Sequence, residues 1–232
     1  MTKEISTRGG IGAGFYRDIK NLFFGRRDDV DLAIGEASYV VIDTELTGLD
    51  LKRDSIISIG AIRMSGAGID LGKTFYRLVR PSSDMKPESI VIHGITPSEL
   101  MQGSPLQEVL SEFLNFLSGD IIVGHFISLD MHILNREIKR IYGYKIQNPC
   151  IDTNAIYRWI KDNSDSFSRH YEDAGRGNNL FSIAREFAIP VQEAHNALSD
   201  AFITAQIFQR FLRILPGLGV RRVKELLRIG RP

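Results

Sequence analysis

The ten residues VVIDTELTGL, 40–49, decide the architecture of this chain. Val40, Val41 and Ile42 form an unbroken β-branched run, the pattern of a strand buried on both faces. They lead directly into Asp43, with Glu45 two positions on. Residues i and i+2 of an extended strand point the same way, so both carboxylates project from one side at the strand's end. Two like charges beside a core repel each other and resist desolvation, and both effects raise their pKa values. A bound divalent cation removes that cost. The alternative reading is a strand that simply ends in a solvated acidic turn.

Working outward, SIISIGAIRM (55–64) and KTFYRLVRP (73–81) read as further strands, with GAG (66–68) as a turn and Pro81 as a stop. The spacing predicts an antiparallel meander of three strands. Then the period changes. A helix is expected over about 105–117, a strand over IIVGH (121–125), and a helix over 130–142. Beyond Cys150–Asp152 come helices over roughly 153–161, 179–188 and 196–214, and the polar stretch 162–179 reads as a loop. Strands first, then alternating strand and helix, imply an α/β protein: a mixed sheet with helices on both faces. Residues 37–210 form the main domain, 1–36 an N-terminal extension and 211–232 a basic helical tail. GGIGAG (9–14) in the extension is no dinucleotide loop, because its glycine spacing is wrong and no strand precedes it. The aromatic-rich cluster Phe15, Tyr16, Leu22, Phe23 and Phe24 would dock a partner or fold back on the core.

Composition narrows the class. With 25% charged and 43% hydrophobic residues in 232, the chain is neither intrinsically disordered nor collagen-like, and it is long enough for a sizeable core. Cys150 is the only cysteine, which excludes a disulfide scaffold. No run approaches the ~20 apolar residues of a membrane span, and MTKEISTRGG lacks the apolar core of a secretory signal. The expectation is a cytoplasmic protein with no membrane partner. The net charge of +1 would by itself argue against a nucleic-acid partner. It is a cancellation, however. Residues 208–232 hold seven basic side chains and one acidic, +6, which leaves the first 207 residues at −5. An acidic body beside a basic tail suits holding cations in one place and touching an anion in another. A solvated helical face is the alternative for the tail.

Further acids strengthen the reading of Asp43 and Glu45. Asp130 again lies just beyond an apolar strand. In EAHNALSDAFITAQIF (193–208), His195 and Asp200 bracket the start of a periodic helix. Five residues of helix turn through about 500°, so the two side chains meet at one site only if His195 lies at or before the helix start. Asn196 or His195 then occupies the cap region. Four acids and a histidine at strand ends and a helix start are far less easily accidental than any one of them.

These residues resemble the DnaQ-like exonucleases of the DEDD class, in the subclass that carries a histidine. The resemblance spans Tyr39 to Phe208. DTELTGL is similar to the family's first motif, GHFISLDMHIL to the second and HNALSDA to the third, in the family's order and spacing. VIHGITP (91–97), CIDT (150–153) and NLFSIAREFAIP (179–190) are similar to its connecting segments. One departure stands out: where the family commonly has His-Asn-Ala, Phe126 and Ile127 follow His125. That position is not a metal ligand in the family, so the departure bears on packing or substrate contact.

The resemblance implies a ribonuclease-H-like fold with a mixed five-stranded sheet, and hydrolysis of a single-stranded nucleic-acid 3′ end, more readily DNA, releasing nucleoside monophosphates. It implies two Mg²⁺ or Mn²⁺ ions, which hard oxygen ligands favour over zinc. Such ions lower the pKa of water and neutralise charge on the phosphate and the leaving oxygen. Asp43 is the implied bridging ligand. Glu45 and Asp200 complete the water-side position, Asp130 holds the leaving-group side, and His195 is the general base. Thr44, Leu46 and Thr47 should line the terminal-nucleotide pocket, with His93 in the loop that approaches the substrate. His93 also reads as a loop histidine satisfied by backbone.

LPGLGVRRVKELL (215–227) resembles the hairpin and second helix of a helix-hairpin-helix element. It would hold a phosphate at exposed N–H groups, aided by Arg221, Arg222 and Lys224. A Pro-Gly break between two helices that close the domain is the other reading. The competing functions are a 3′ exoribonuclease, which uses the same acids, and a nucleic-acid- or polymerase-binding module without turnover. A DNA polymerase subunit is the expected protein partner, although the short stretch after the exonuclease-like region differs from the long tail by which similar replicative subunits bind theirs.

Overall fold

The computed structural model describes residues 31–48, 50, 52–80, 94–164, 177–191 and 196–232. In chain order these form β1 (Ser38–Leu46), β2 (Ile56–Ser65), β3 (Gly68–Leu78), α1 (Pro97–Met101), α2 (Leu106–Leu117), β4 (Ile121–Gly124), α3 (Ser128–Tyr142), β5 (Cys150–Asp152), α4 (Thr153–Asn163), α5 (Leu180–Glu186), α6 (Ala197–Ile214), a 3₁₀ turn (Leu215–Leu218) and α7 (Val223–Ile229). The sheet order is β3-β2-β1-β4-β5. β1, β2 and β3 pair antiparallel, and β4 and β5 continue the sheet parallel to β1. This is the five-stranded mixed sheet expected, with helices on both faces.

Both faces of β1 are buried. Tyr39 and Val41 point into a core formed with α4, α5, α6 and α7. Val40 and Ile42 point into a second core formed with α2 and α3, whose Phe113, Leu117, Ile133, Leu134 and Ile138 are fully or nearly fully buried. Parallel pairing of β1 with β4 requires a crossover connection, and α2 supplies it along one face.

Several boundaries differ from those expected, each for an identifiable reason. β1 runs to Leu46, so Asp43 and Glu45 lie within the strand and are held by its ladder. β3 begins at Gly68, earlier than the apolar pattern signalled, because this outer strand is largely exposed and pairs through its backbone. α1 has no counterpart in the apolar pattern of the sequence. Its signal is Thr96-Pro97-Ser98-Glu99: the Thr96 hydroxyl accepts from Glu99 N, and the Glu99 carboxylate accepts from Thr96 N. The aromatic cluster of the extension and the glycine stretch 9–14 lie outside the described residues, as does most of the loop 162–179.

The C-terminal segment is packed into the molecule. Leu215, Val220, Val223 and Leu226 are buried in the α6-side core, 0–3% exposed. Ala33 bridges antiparallel to Arg222, Ile34 N donates to Arg221 O, and Val223 N donates to Leu32 O. Lys224 pairs with Asp31 at 2.7 Å. Gly219 takes φ +87 between the 3₁₀ turn and α7, a left-handed turn that suits glycine. At the start of α7, Glu225 accepts from the N–H groups of Arg221 (2.7 Å) and Arg222 (3.0 Å). The chain's own carboxylate therefore occupies N–H groups that a hairpin-bound phosphate would use.

Candidate active site

The alternation of β1 distributes the candidate residues. Asp43 and Glu45 continue the face of Tyr39 and Val41, toward α6. Thr44 and Leu46 continue the face of Val40 and Ile42, toward α3. Asp200 stands in the first turn of α6, 6% exposed, and single carboxylate oxygens of Asp43, Glu45 and Asp200 all lie within 4.8 Å of one another. Asp130, in the first turn of α3 and 8% exposed, meets the strand from the other side, where Thr44 Oγ1 donates to its Oδ1 at 2.6 Å. Four acids thus converge on one end of the sheet, two from β1 and one from each flanking helix.

Local sequence explains how each helix arrives. Asn196 caps α6 by accepting from Leu198 N and Ser199 N, at 3.1 and 3.2 Å. Its amide donates to the Tyr76 hydroxyl of β3 at 3.3 Å. Tyr76, Gly60 and Asp43 sit side by side across the three antiparallel strands. Gly60 is what lets α6 approach: a Cβ there would lie 2.2–2.3 Å from backbone atoms of Ala197 and Leu198. Gly60 was missed as a site-forming residue, although an isolated glycine inside a strand pattern is itself a sign of close backbone approach.

Electrostatically the cluster is costly in isolation. Burial, then the charges of Asp130, Glu45 and Asp200, push Asp43 well above the carboxylate range. Burial, with Asp200 and Asp130, lifts Glu45 to about 7. Burial lifts Asp130 to about 7 against the opposing hydrogen bond from Thr44. Among the described residues, no lysine or arginine forms an ion pair with Asp43, Glu45 or Asp130. Ser58, fully buried and directly opposite Glu45 on the same face, has an Oγ with no partner among the described residues. An all-oxygen donor set, unneutralised charge and a spare buried hydroxyl fit a hard divalent cation.

The remaining candidates fare differently. His195 and His93 lie outside the described residues. Leu46 is half-buried against the α3-side core. Thr47 is 3% exposed, its hydroxyl donates to Asp54 and accepts from Ser55 N, and its N–H donates to Ser55 O. Thr47 thereby closes the 47–55 loop. Asp152, at the end of β5, caps α4 through Asn154 N and also accepts from Phe126 N. The neighbouring His125 ring bonds Thr153 Oγ1 and Asn178 O, and burial lowers its pKa.

Comparison with known proteins agrees with this geometry. A family model described as Exonuclease (RNase T) matches residues 40–208. The PolC-type DNA polymerase III of Thermotoga maritima is 33% identical over 94% of this chain, which spans only 15% of that protein. The DNA polymerase III epsilon subunit of Aquifex aeolicus is 32% identical, covering 78% of this chain and 83% of that one. Exonuclease I of E. coli, solved with a dT13 oligonucleotide, superposes with a TM-score of 0.68 at 17% identity, over 79% of this chain and 43% of that one. No helix among the described residues is long and apolar enough to cross a membrane. The sheet, the convergent acids and the matched sequence together make this chain a member of the exonuclease family, with a DnaQ-like domain spanning most of its length.

Proposed function

We propose that this chain is a metal-dependent 3′→5′ exonuclease that hydrolyses DNA from its 3′ end, in a proofreading or repair role. The observation that carries it is the convergence of Asp43, Glu45 and Asp200 within 4.8 Å, with Asp130 tied to β1 by Thr44. DNA as the polymer, and a polymerase as the partner, are supported by the names of relatives that include DNA polymerase III subunits.

Asp43, Glu45 and Asp200 would hold one ion and Asp43 with Asp130 a second, and Mg²⁺ or Mn²⁺ suits these oxygens. When bound, the ions supply activation of water and neutralisation of the charge that builds on the phosphate. The protein's own work is positional. The β1 ladder fixes Asp43 and Glu45, Asn196 and Gly60 fix Asp200, and Thr44 fixes Asp130, so the cage forms before substrate arrives. His195 immediately precedes the α6 cap in sequence and serves as the general base that takes a proton from the attacking water. Leu46 and the Thr44 backbone border the terminal nucleotide.

The test uses matched single-stranded DNA and RNA oligomers labelled at the 5′ end, incubated with Mg²⁺ or Mn²⁺ and either wild type or Asp43→Ala. A stepwise ladder shortening from the 3′ end, lost in the variant, is expected, with DNA degraded faster. Preference for RNA would reassign the substrate. No degradation of either polymer would sink the enzyme reading.

A further inference from the structure

The turn between β4 and α3 has an unusual construction. Gly124 packs so closely on Ile127 that a Cβ there would lie 2.4 Å from its side chain, and Ile127 is fully buried. Folding Ile127 back under the strand sends Phe126 outward with φ +53, a conformation that suits glycine or asparagine rather than a bulky ring. Phe126 nevertheless stands there 41% exposed, and Leu129 beside it is 48% exposed. The turn is held firmly. Phe126 N donates to Asp152 Oδ1 at 3.1 Å, and Leu129 N donates to Phe126 O at 3.0 Å. The ring meets His125 edge-on at 4.6 Å, and His125 is itself fixed by Thr153 and Asn178. Asp130 follows immediately.

Resting on the exonuclease reading, we propose that Phe126 and Leu129 form a platform on which an unpaired nucleobase stacks, one nucleotide upstream of the scissile phosphate. Thr44 and Leu46 belong to β1, whereas Phe126 follows the neighbouring β4 and is anchored to the end of β5, one strand further out. The base seated on Phe126 is the neighbour of the one bordered by Leu46. An aromatic face takes any base, and a ring already ordered loses little freedom on stacking. Phe126 acts as a positioning residue. It sets how the strand is presented and takes no part in bond cleavage.

The test places 2-aminopurine, whose fluorescence is quenched by stacking, as the penultimate base of a single-stranded oligomer bound to protein in EDTA. Wild type should quench it. Phe126→Asn, which relaxes the left-handed backbone and should melt no lower than wild type, should lose the quench and bind roughly tenfold more weakly. Phe126→Trp should retain both. With an abasic penultimate position, wild type and Phe126→Asn should bind alike. Equal quenching by wild type and Phe126→Asn, no quenching by either, or an affinity gap that persists on the abasic strand overturns the platform. Strand shortening on adding Mg²⁺ or Mn²⁺ is scored separately, and its absence overturns the exonuclease reading instead.

Discussion

Thr44 Oγ1 donates to Asp130 Oδ1 across 2.6 Å, joining β1 to α3 on its far face. The bond orients Asp130 and opposes the rise in its pKa caused by burial. Thr44→Val should lower kcat/KM on a single-stranded oligomer by about tenfold, since one hydrogen bond to a charged group contributes ~1.5–3 kcal/mol. Thr44→Ser should stay near wild type. Steady-state kinetics at saturating metal would show this, and a fully active Thr44→Val would mean the contact is incidental.

Gly60 predicts a remote loss of activity. Adding one methyl in Gly60→Ala meets backbone of Ala197 and Leu198, which cannot yield as a flexible side chain would. The start of α6 should shift and carry Asp200 with it. Activity should fall by about 10²-fold, the scale associated with misplacing a reacting group by ~1 Å. A melting temperature well below wild type should accompany it.

Asp43→Asn should separate activity from stability. It removes a cage carboxylate, so turnover should drop by about two to three orders of magnitude. It also removes repulsion among buried acids, so thermal melting in EDTA should occur at a higher temperature than for wild type. A lower melting temperature in EDTA would contradict the electrostatic account.

The same acids make stability depend on pH. Glu45 and Asp130 are lifted to about 7 from ordinary values near 4, so between those limits the folded state binds more protons than the unfolded state. Metal-free protein should therefore lose stability as pH rises from 5 to 8, by a melting shift of about 5–10 °C. Added Mn²⁺ or Mg²⁺ should recover most of it at pH 8 and little at pH 5, because bound ions require the ionised carboxylates. Scanning calorimetry across pH, with and without metal, checks both halves.

The C-terminal segment should behave as a clasp. Leu226 is fully buried, and Leu226→Ala should cost about 2–5 kcal/mol. With Glu225 on the hairpin N–H groups and Lys224 paired to Asp31, replacing Arg221, Arg222 and Lys224 together by alanine should change the salt dependence of oligomer binding little. A flattened salt dependence would restore a nucleic-acid role for the tail.

Much of this was legible in the chain itself. Val40–Ile42 with Asp43 and Glu45 announces a buried strand bearing two like-facing acids, because strand alternation is a local property. His195-Asn196 before a periodic run announces where α6 begins, because capping is local too, and the structure makes Asn196 the cap. Other features arise only when distant segments meet. The hydroxyl of Thr47 meets Asp54 and Ser55 only because the 47–55 loop folds back on itself. Gly60 in a strand pattern signals a close approach, but only the fold shows that α6 is what crosses it. The sheet's two faces sent Asp43 and Glu45 to Asp200 but Thr44 to Asp130, a division set by which helix covers which side. Sequence by itself determined which residues are candidates for the chemistry and which way each points along its own element. Tertiary structure decided which of them touch, since distance between elements depends on the packing of side chains far apart in the chain.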